Sequence, residues 1–158
     1  MDISESLDGW WHAFFDTATS WQVELAKPIE QTGHAPSVGW DNVDDHKESV
    51  RVPGIWRDAR PGFSGVVWYW RPFVVPVGWS GKMVRLSLGA IRGRLELYLE
   101  EVFIGSHDTF SVPFECDLHQ LVPDKRYTLI LRIAHGDDSG GICGPVTLTN
   151  VLPDSLDI

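Results

Sequence analysis

His107 and Asp108 stand side by side outside any strand-like pattern. An imidazole next to a carboxylate is a pairing that general acid–base chemistry uses. The alternative role for His107 is to pin its own loop by hydrogen bonds. Asp137 and Asp138 form a second acidic pair in a Gly-containing turn, Gly136-Asp137-Asp138. Adjacent carboxylates accept hydrogen bonds from ligand hydroxyls, or simply solvate a turn. His107 and Asp137 are therefore the catalytic candidates. A third cluster, Asp41, Asn42, Asp44, Asp45 and His46, is oxygen-rich but lacks the glycine and ligand spacing of a Ca²⁺ loop, so a solvated loop is expected. His12, His34, His46, His119 and His135 show no HxH or HxxxH spacing. No Gly-rich phosphate loop or GxSxG elbow is present. No metal and no cofactor are expected.

The eight tryptophans are the other chemically informative residues. Flat rings stack on the C–H faces of sugars and other organic ligands, and they equally fill cores. Trp10, Trp56, Trp68 and Trp79 are assigned to the core. Trp11, Trp21, Trp40 and Trp70 are the candidates for a ligand site. Tyr69 and Trp70 are candidates for a pocket floor.

The elements that must hold these residues are strands. Val84, Leu86 and Leu88 alternate with Arg85 and Ser87. Leu95, Leu97 and Leu99 alternate with Glu96 and Tyr98, and Tyr127, Leu129, Leu131 and Ile133 share a face. Period-2 alternation of this kind predicts half-buried antiparallel strands. Val66–Val75 is apolar on both faces and predicts a central strand, in which Pro72 requires a bulge or a locally unpaired position. Pro/Gly turns at 52–54, 60–62, 76–78, 122–124 and 136–138 separate the strands. Residues 26–48 read as a long polar loop with room for one edge strand. The expectation is one all-β domain, a sandwich or barrel over residues 1–158, with less than about a tenth of it helical.

Charge narrows the partners. Lys and Arg number 13 and Asp and Glu 22, for a net charge of −9. Such a chain is repelled by nucleic-acid phosphates and by anionic membrane surfaces. The N-terminal residues carry no basic segment followed by an apolar one, and no apolar run is long enough to span a bilayer. These features predict a cytoplasmic chain in which Cys116 and Cys143 are reduced.

The ordered motifs then carry a resemblance. Leu7-Asp8-Gly9-Trp10, Val52-Pro53-Gly54-Ile55-Trp56, Ser64–Phe73, Trp79-Ser80-Gly81-Lys82, Gly105-Ser106-His107, Pro113–Leu118 and Gly140–Val146 occur in the order and spacing of the N-terminal sugar-binding domain of family 2 glycoside hydrolases. The chain resembles that domain, of the β-galactosidase and β-glucuronidase type, from about Leu7 to Leu148. The resemblance implies an antiparallel jelly-roll β-sandwich of the galactose-binding type. It also implies that His107 belongs to the framework and that the 137–138 loop borders the enzymes' sugar pocket. In those enzymes a separate TIM barrel holds the catalytic carboxylates, and 158 residues leave no room for it. Glycosidase activity is therefore not expected of the chain by itself.

The departures fall in loops. Glu100-Glu101 replaces the Asn-Gly suited to a two-residue turn, which predicts a hairpin of altered shape. Thr109-Phe110-Ser111 replaces Gly-Gly-Tyr, and Cys143 stands at an aromatic or basic position. Loops on a rigid scaffold carry binding residues. The candidate ligand-binding set is therefore Tyr69, Trp70, Glu100, His107, Asp108, Phe110, Asp137 and Asp138. Three functions fit: a stand-alone module binding a saccharide, glycoside or other small organic molecule; a cofactor-free intracellular cyclase or isomerase of a biosynthetic pathway that works by positioning; and a subunit or fragment of a larger glycosidase.

Overall fold

The computed structural model describes residues 3–18, 21–27, 35–79, 83–118 and 121–151. Residues 80–82 of the Trp79–Lys82 turn, His34, His119 and the Trp21 side chain lie outside the described residues. The strands are β1 (Ile3–Ser6), β2 (Gly9–Asp16), β3 (Glu48–Val52), β4 (Gly65–Val74), β5 (Val84–Leu88), β6 (Ile91–Arg92), β7 (Arg94–Leu99), β8 (Val102–His107), β9 (Phe114–Asp117), β10 (Arg126–His135), β11 (Gly141–Ile142) and β12 (Val146–Asn150). Among the described residues, one short α-helix, α1 (Trp21–Ala26), and two 3-10 turns, Val43–His46 and Trp56–Asp58, interrupt them. All pairings are antiparallel.

A four-stranded sheet, β1-β12-β5-β9, faces a six-stranded sheet, β3-β2-β4-β10-β7-β8, and β6 and β11 form a small ribbon. Between the two sheets lies the main core. Trp11, Ala13 and Phe15 of β2, Val67, Tyr69 and Phe73 of β4, and Leu129, Leu131 and Ile133 of β10 meet Val84, Leu86, Leu88, Val146 and Leu148 of the smaller sheet. Each Val, Leu, Ile or Phe side chain among them, fully buried, contributes about 1.5–3 kcal/mol. The fold is the expected antiparallel β-sandwich.

Two of the motifs meet in space. Gly54 N–H donates to Ile142 O and Trp56 N–H to Gly140 O, both at 2.8 Å. A Cβ on Gly140 would sit 3.1 Å from the Trp56 ring, and one on Gly141 2.6 Å from Gly54 O. Glycine is required there because the backbone approaches a ring and a carbonyl.

The far face of the larger sheet departs from the half-buried pattern. Glu96, read from alternation as solvent-facing, and its cross-strand neighbour Arg132 are 0% and 3% exposed. α1 and residues 35–47 cover that face. Phe14, Val66, Trp68, Trp70, Tyr98, Ile130 and Ala134 form a second apolar cluster there with Val43. β4 is accordingly buried on both faces, as its sequence predicts. Its ladder with β2 ends at His12↔Trp70, so Pro72 meets β10 on one side and no strand on the other.

Candidate functional site

The outer face of the six-stranded sheet carries a pocket of about 670 Å³ between the sheet and the 35–47 segment. Trp70, Thr128 and Ile130 form its base on β4 and β10. Tyr98 and Phe103 enclose one side, Trp40 and Val43 the other, and Asp44, Glu100 and Glu101 supply carboxylates. The volume lies within the range usual for small-molecule sites.

Each ring is held from behind. Trp40 stands edge-on to Trp68 and Trp70, with centroids 5.5 and 6.1 Å apart. Tyr98 stacks on Trp68 at 6.5 Å and donates its hydroxyl to Glu96 Oε1 at 2.9 Å. Burial, with the adjacent Glu96 carboxylate, pushes the Tyr98 phenol well above its ordinary value, so it stays a donor. Glu96 in turn accepts from Arg132, which also pairs with Glu24 of α1. Asp16 Oδ2 accepts the Ser37 N–H at 2.8 Å and ties the covering segment to β2.

The Glu100-Glu101 hairpin keeps two residues, because Leu99 pairs directly with Val102. Glu100 adopts φ +54°, a left-handed conformation that most side chains avoid. The altered shape expected from the sequence is thus a strained residue in a turn of unchanged length. Its carboxylate also accepts the Thr128 N–H at 3.3 Å. Beyond the turn, the register shifts between Leu97 and Tyr98, leaving Ile104 unopposed. This bulge brings Phe103 opposite Tyr98, with ring centroids 5.6 Å apart.

His107, Asp108 and Phe110 gather elsewhere, in a cleft of about 550 Å³ with Arg92, Arg94, Ser106 and His135. His107 Nε2 lies 2.8 Å from both the Thr109 and Val112 carbonyl oxygens. Two acceptors require that nitrogen to carry the hydrogen, so His107 pins its loop. Phe110 lies beneath the Arg92 guanidinium at 3.9 Å.

The remaining candidates make contacts with their own loops and with the core. Asp137 Oδ1 accepts both Ser139 donors, and these bonds, with His135 nearby, hold its carboxyl below the ordinary aspartate range. Asp138 accepts Arg57 at 2.7 Å and Gly62 N–H at 2.8 Å, which lowers its pKa likewise. Tyr69 is 3% exposed, accepts the Trp56 indole N–H at 2.9 Å, and lies on the face of β4 opposite Trp70. The two therefore share no pocket floor. Among the described residues, no group of three or more His, Cys, Asp or Glu side chains is placed to hold a metal ion.

Trp40 and Trp70 meet in one pocket, while Trp11 is core at 1% exposure. Trp10, assigned to the core from its motif, is 63% exposed because it points outward from β2. Tyr98, Phe103 and Ile130 are not among the residues the sequence singles out for a site, Asp44 reads there as part of a solvated loop, and Glu101 only as part of the altered turn. The available signal was Phe103 beside the turn that departs from the family pattern.

The architecture defines a two-sheet antiparallel β-sandwich domain. No family model matches the chain. A β-glucuronidase of Paenibacillus borealis is 33% identical over 71 residues, which are 43% of this chain and 12% of that protein. The β-glucuronidase of Ruminococcus gnavus superposes with a TM-score of 0.73 at 21% identity, over 97% of this chain and 29% of its own. That enzyme in complex with D-glucuronic acid gives 0.74, and the Faecalibacterium prausnitzii β-glucuronidase 0.69 at 19% identity. The chain thus spans about 30% of the length of the solved enzymes it matches. These likenesses show the fold. No helix among the described residues is long and apolar enough to cross a membrane.

Proposed function

We propose that this β-sandwich binds a neutral saccharide, glycoside or similar small organic molecule in the Trp40–Trp70–Tyr98–Phe103 pocket. The observation that carries this reading is the set of aromatic rings around a cavity of about 670 Å³ rimmed by Asp44, Glu100 and Glu101. The exposed Trp40 and Phe103 rings offer stacking surfaces over a floor that includes Trp70 and Tyr98, and the carboxylates accept hydrogen bonds from hydroxyls. Three acids also repel anions, so neutral glycosides are preferred over glucuronides at this site.

Titration of tryptophan emission tests it, using methyl and phenyl β-glucosides and β-galactosides beside phenyl β-glucuronide. Saturable changes with neutral glycosides are expected, weakened roughly tenfold by Trp40→Ala, the effect of losing one aromatic contact. Indifference to every neutral glycoside, or full binding by Trp40→Ala, contradicts the reading. A second reading, favoured by the match to about 30% of solved β-glucuronidases, makes the sandwich one domain of a longer glycosidase. The intact mass of the protein isolated from its natural source decides it.

A further inference from the structure

The same sheet face opens a second cavity, of about 410 Å³, on the other side of the His12–Trp70 ring contact. Trp10, His12, Arg71, Pro72, Val74 and Arg126 line it. The sequence builds this notch. β2 leaves β4 after His12↔Trp70 and continues beside β3, with Trp10 opposite Arg51. Pro72 has no N–H to recruit a replacement strand.

Its charge is opposite to that of the chain. Arg57, Arg60, Arg85 and Arg132 each pair with a carboxylate. Arg51, Arg71 and Arg126 have no such partner among the described residues, and no acid lines the notch. Arg51 lies 5.5 Å above one side of the Trp10 ring, which is 63% exposed. His12 is held below the ordinary histidine range by burial and then by the Lys47 charge, with Arg71 adding to it against Asp44. Cations gathered beside an open indole, in a chain of net charge −9, form a focused positive site.

We propose that this notch binds an anionic group carried on an aromatic or pyranose ring. The ring packs on Trp10, and the carboxylate, sulfate or phosphate is held by the Arg71 and Arg126 guanidinium groups through charge-assisted hydrogen bonds. The site is separate from the neutral-glycoside pocket and has the reverse charge preference.

Calorimetry with glucose 6-phosphate and glucose 6-sulfate, and with phenyl phosphate and phenyl sulfate, tests the proposal and separates a sugar anion from an aromatic one. Glucose and phenol serve as uncharged counterparts. At least one anion series should bind, more weakly as salt rises, and its counterpart should not. Arg71→Gln and Arg126→Gln should each weaken binding roughly tenfold or more, the size expected for one hydrogen bond to a charged group. Arg85→Gln removes the same charge from the other sheet and should leave binding intact. Saturating methyl β-glucoside should not displace the anion, so failure of the aromatic pocket and failure of the notch are read separately. The proposal is overturned if no anion binds, if both arginine variants bind normally, or if Arg85→Gln weakens binding as much as they do.

Discussion

Arg132 on β10 donates from Nη1 to Glu96 Oε2 at 3.1 Å, directly across the ladder from its partner on β7. Both side chains are almost completely buried, and the Arg132 guanidinium also lies 5.5 Å from the centre of the Trp68 ring. Glu24 completes the group from α1. This cluster holds the helix on the sheet and fixes the Tyr98 ring through its hydroxyl. Removing Arg132 leaves the buried Glu24 and Glu96 carboxylates without their shared cation. Arg132→Met should cost about 3–5 kcal/mol in urea unfolding, the size found when a buried pair is broken. A loss below about 1 kcal/mol, as for a surface pair, would mean that the cluster is open to solvent.

Asp138 joins the loop after β10 to the turn after Trp56. Its folded pKa lies below the ordinary aspartate value of 3.8, first through the Arg57 bond. The stabilisation is therefore complete above that value and is lost as pH falls through the lower, folded one. Asp138→Asn should unfold at lower urea than the wild type at neutral pH, and the two midpoints should converge in acid. A constant gap down the acid range would show that the carboxylate charge plays no part.

Cys116, on β9, and Cys143, in the loop after β11, are free thiols. Burial, with Asp117 beside it, pushes Cys116 up to about 11, and burial raises Cys143 as well. The native Cys116 thiolate fraction near pH 8 is then roughly 100-fold below that of an ordinary thiol. Native protein should alkylate slowly at Cys116 and react at both positions once denatured. Equal native and denatured rates at Cys116 would contradict its burial.

The framework was legible because its signals are local. Alternation marks β5, the doubly apolar run marks β4, and the Val52–Trp56 and Gly140–Val146 motifs turn out to clasp one another. The covered outer face was not legible, since Glu96, Arg132 and Tyr98 follow a solvent-facing pattern. Their burial depends on α1, a six-residue helix too short to show a helical period. The candidate site was legible in part. Trp40, Trp70 and Glu100 were identifiable from composition and from the altered turn, but a sequence does not show which face of a strand a loop will cover. Tyr69 and Trp70 illustrate this: as neighbours on β4 they point to opposite faces, one to the core and the other to the pocket. Phe103 reaches the pocket only through a bulge, a register change that alternation does not encode.

The central claim, that neutral glycosides bind against Trp40 and Trp70, is tested most directly by the indole N–H resonances of ¹⁵N-labelled protein. Trp11 and Trp56 donate their indole N–H groups to Leu7 O and the Tyr69 hydroxyl inside the core and serve as internal references. On titration with phenyl β-glucoside, the Trp40 and Trp70 signals should move saturably while those of Trp11 and Trp56 stay fixed. Unmoved Trp40 and Trp70 signals, or shifts confined to Trp10, would contradict the account.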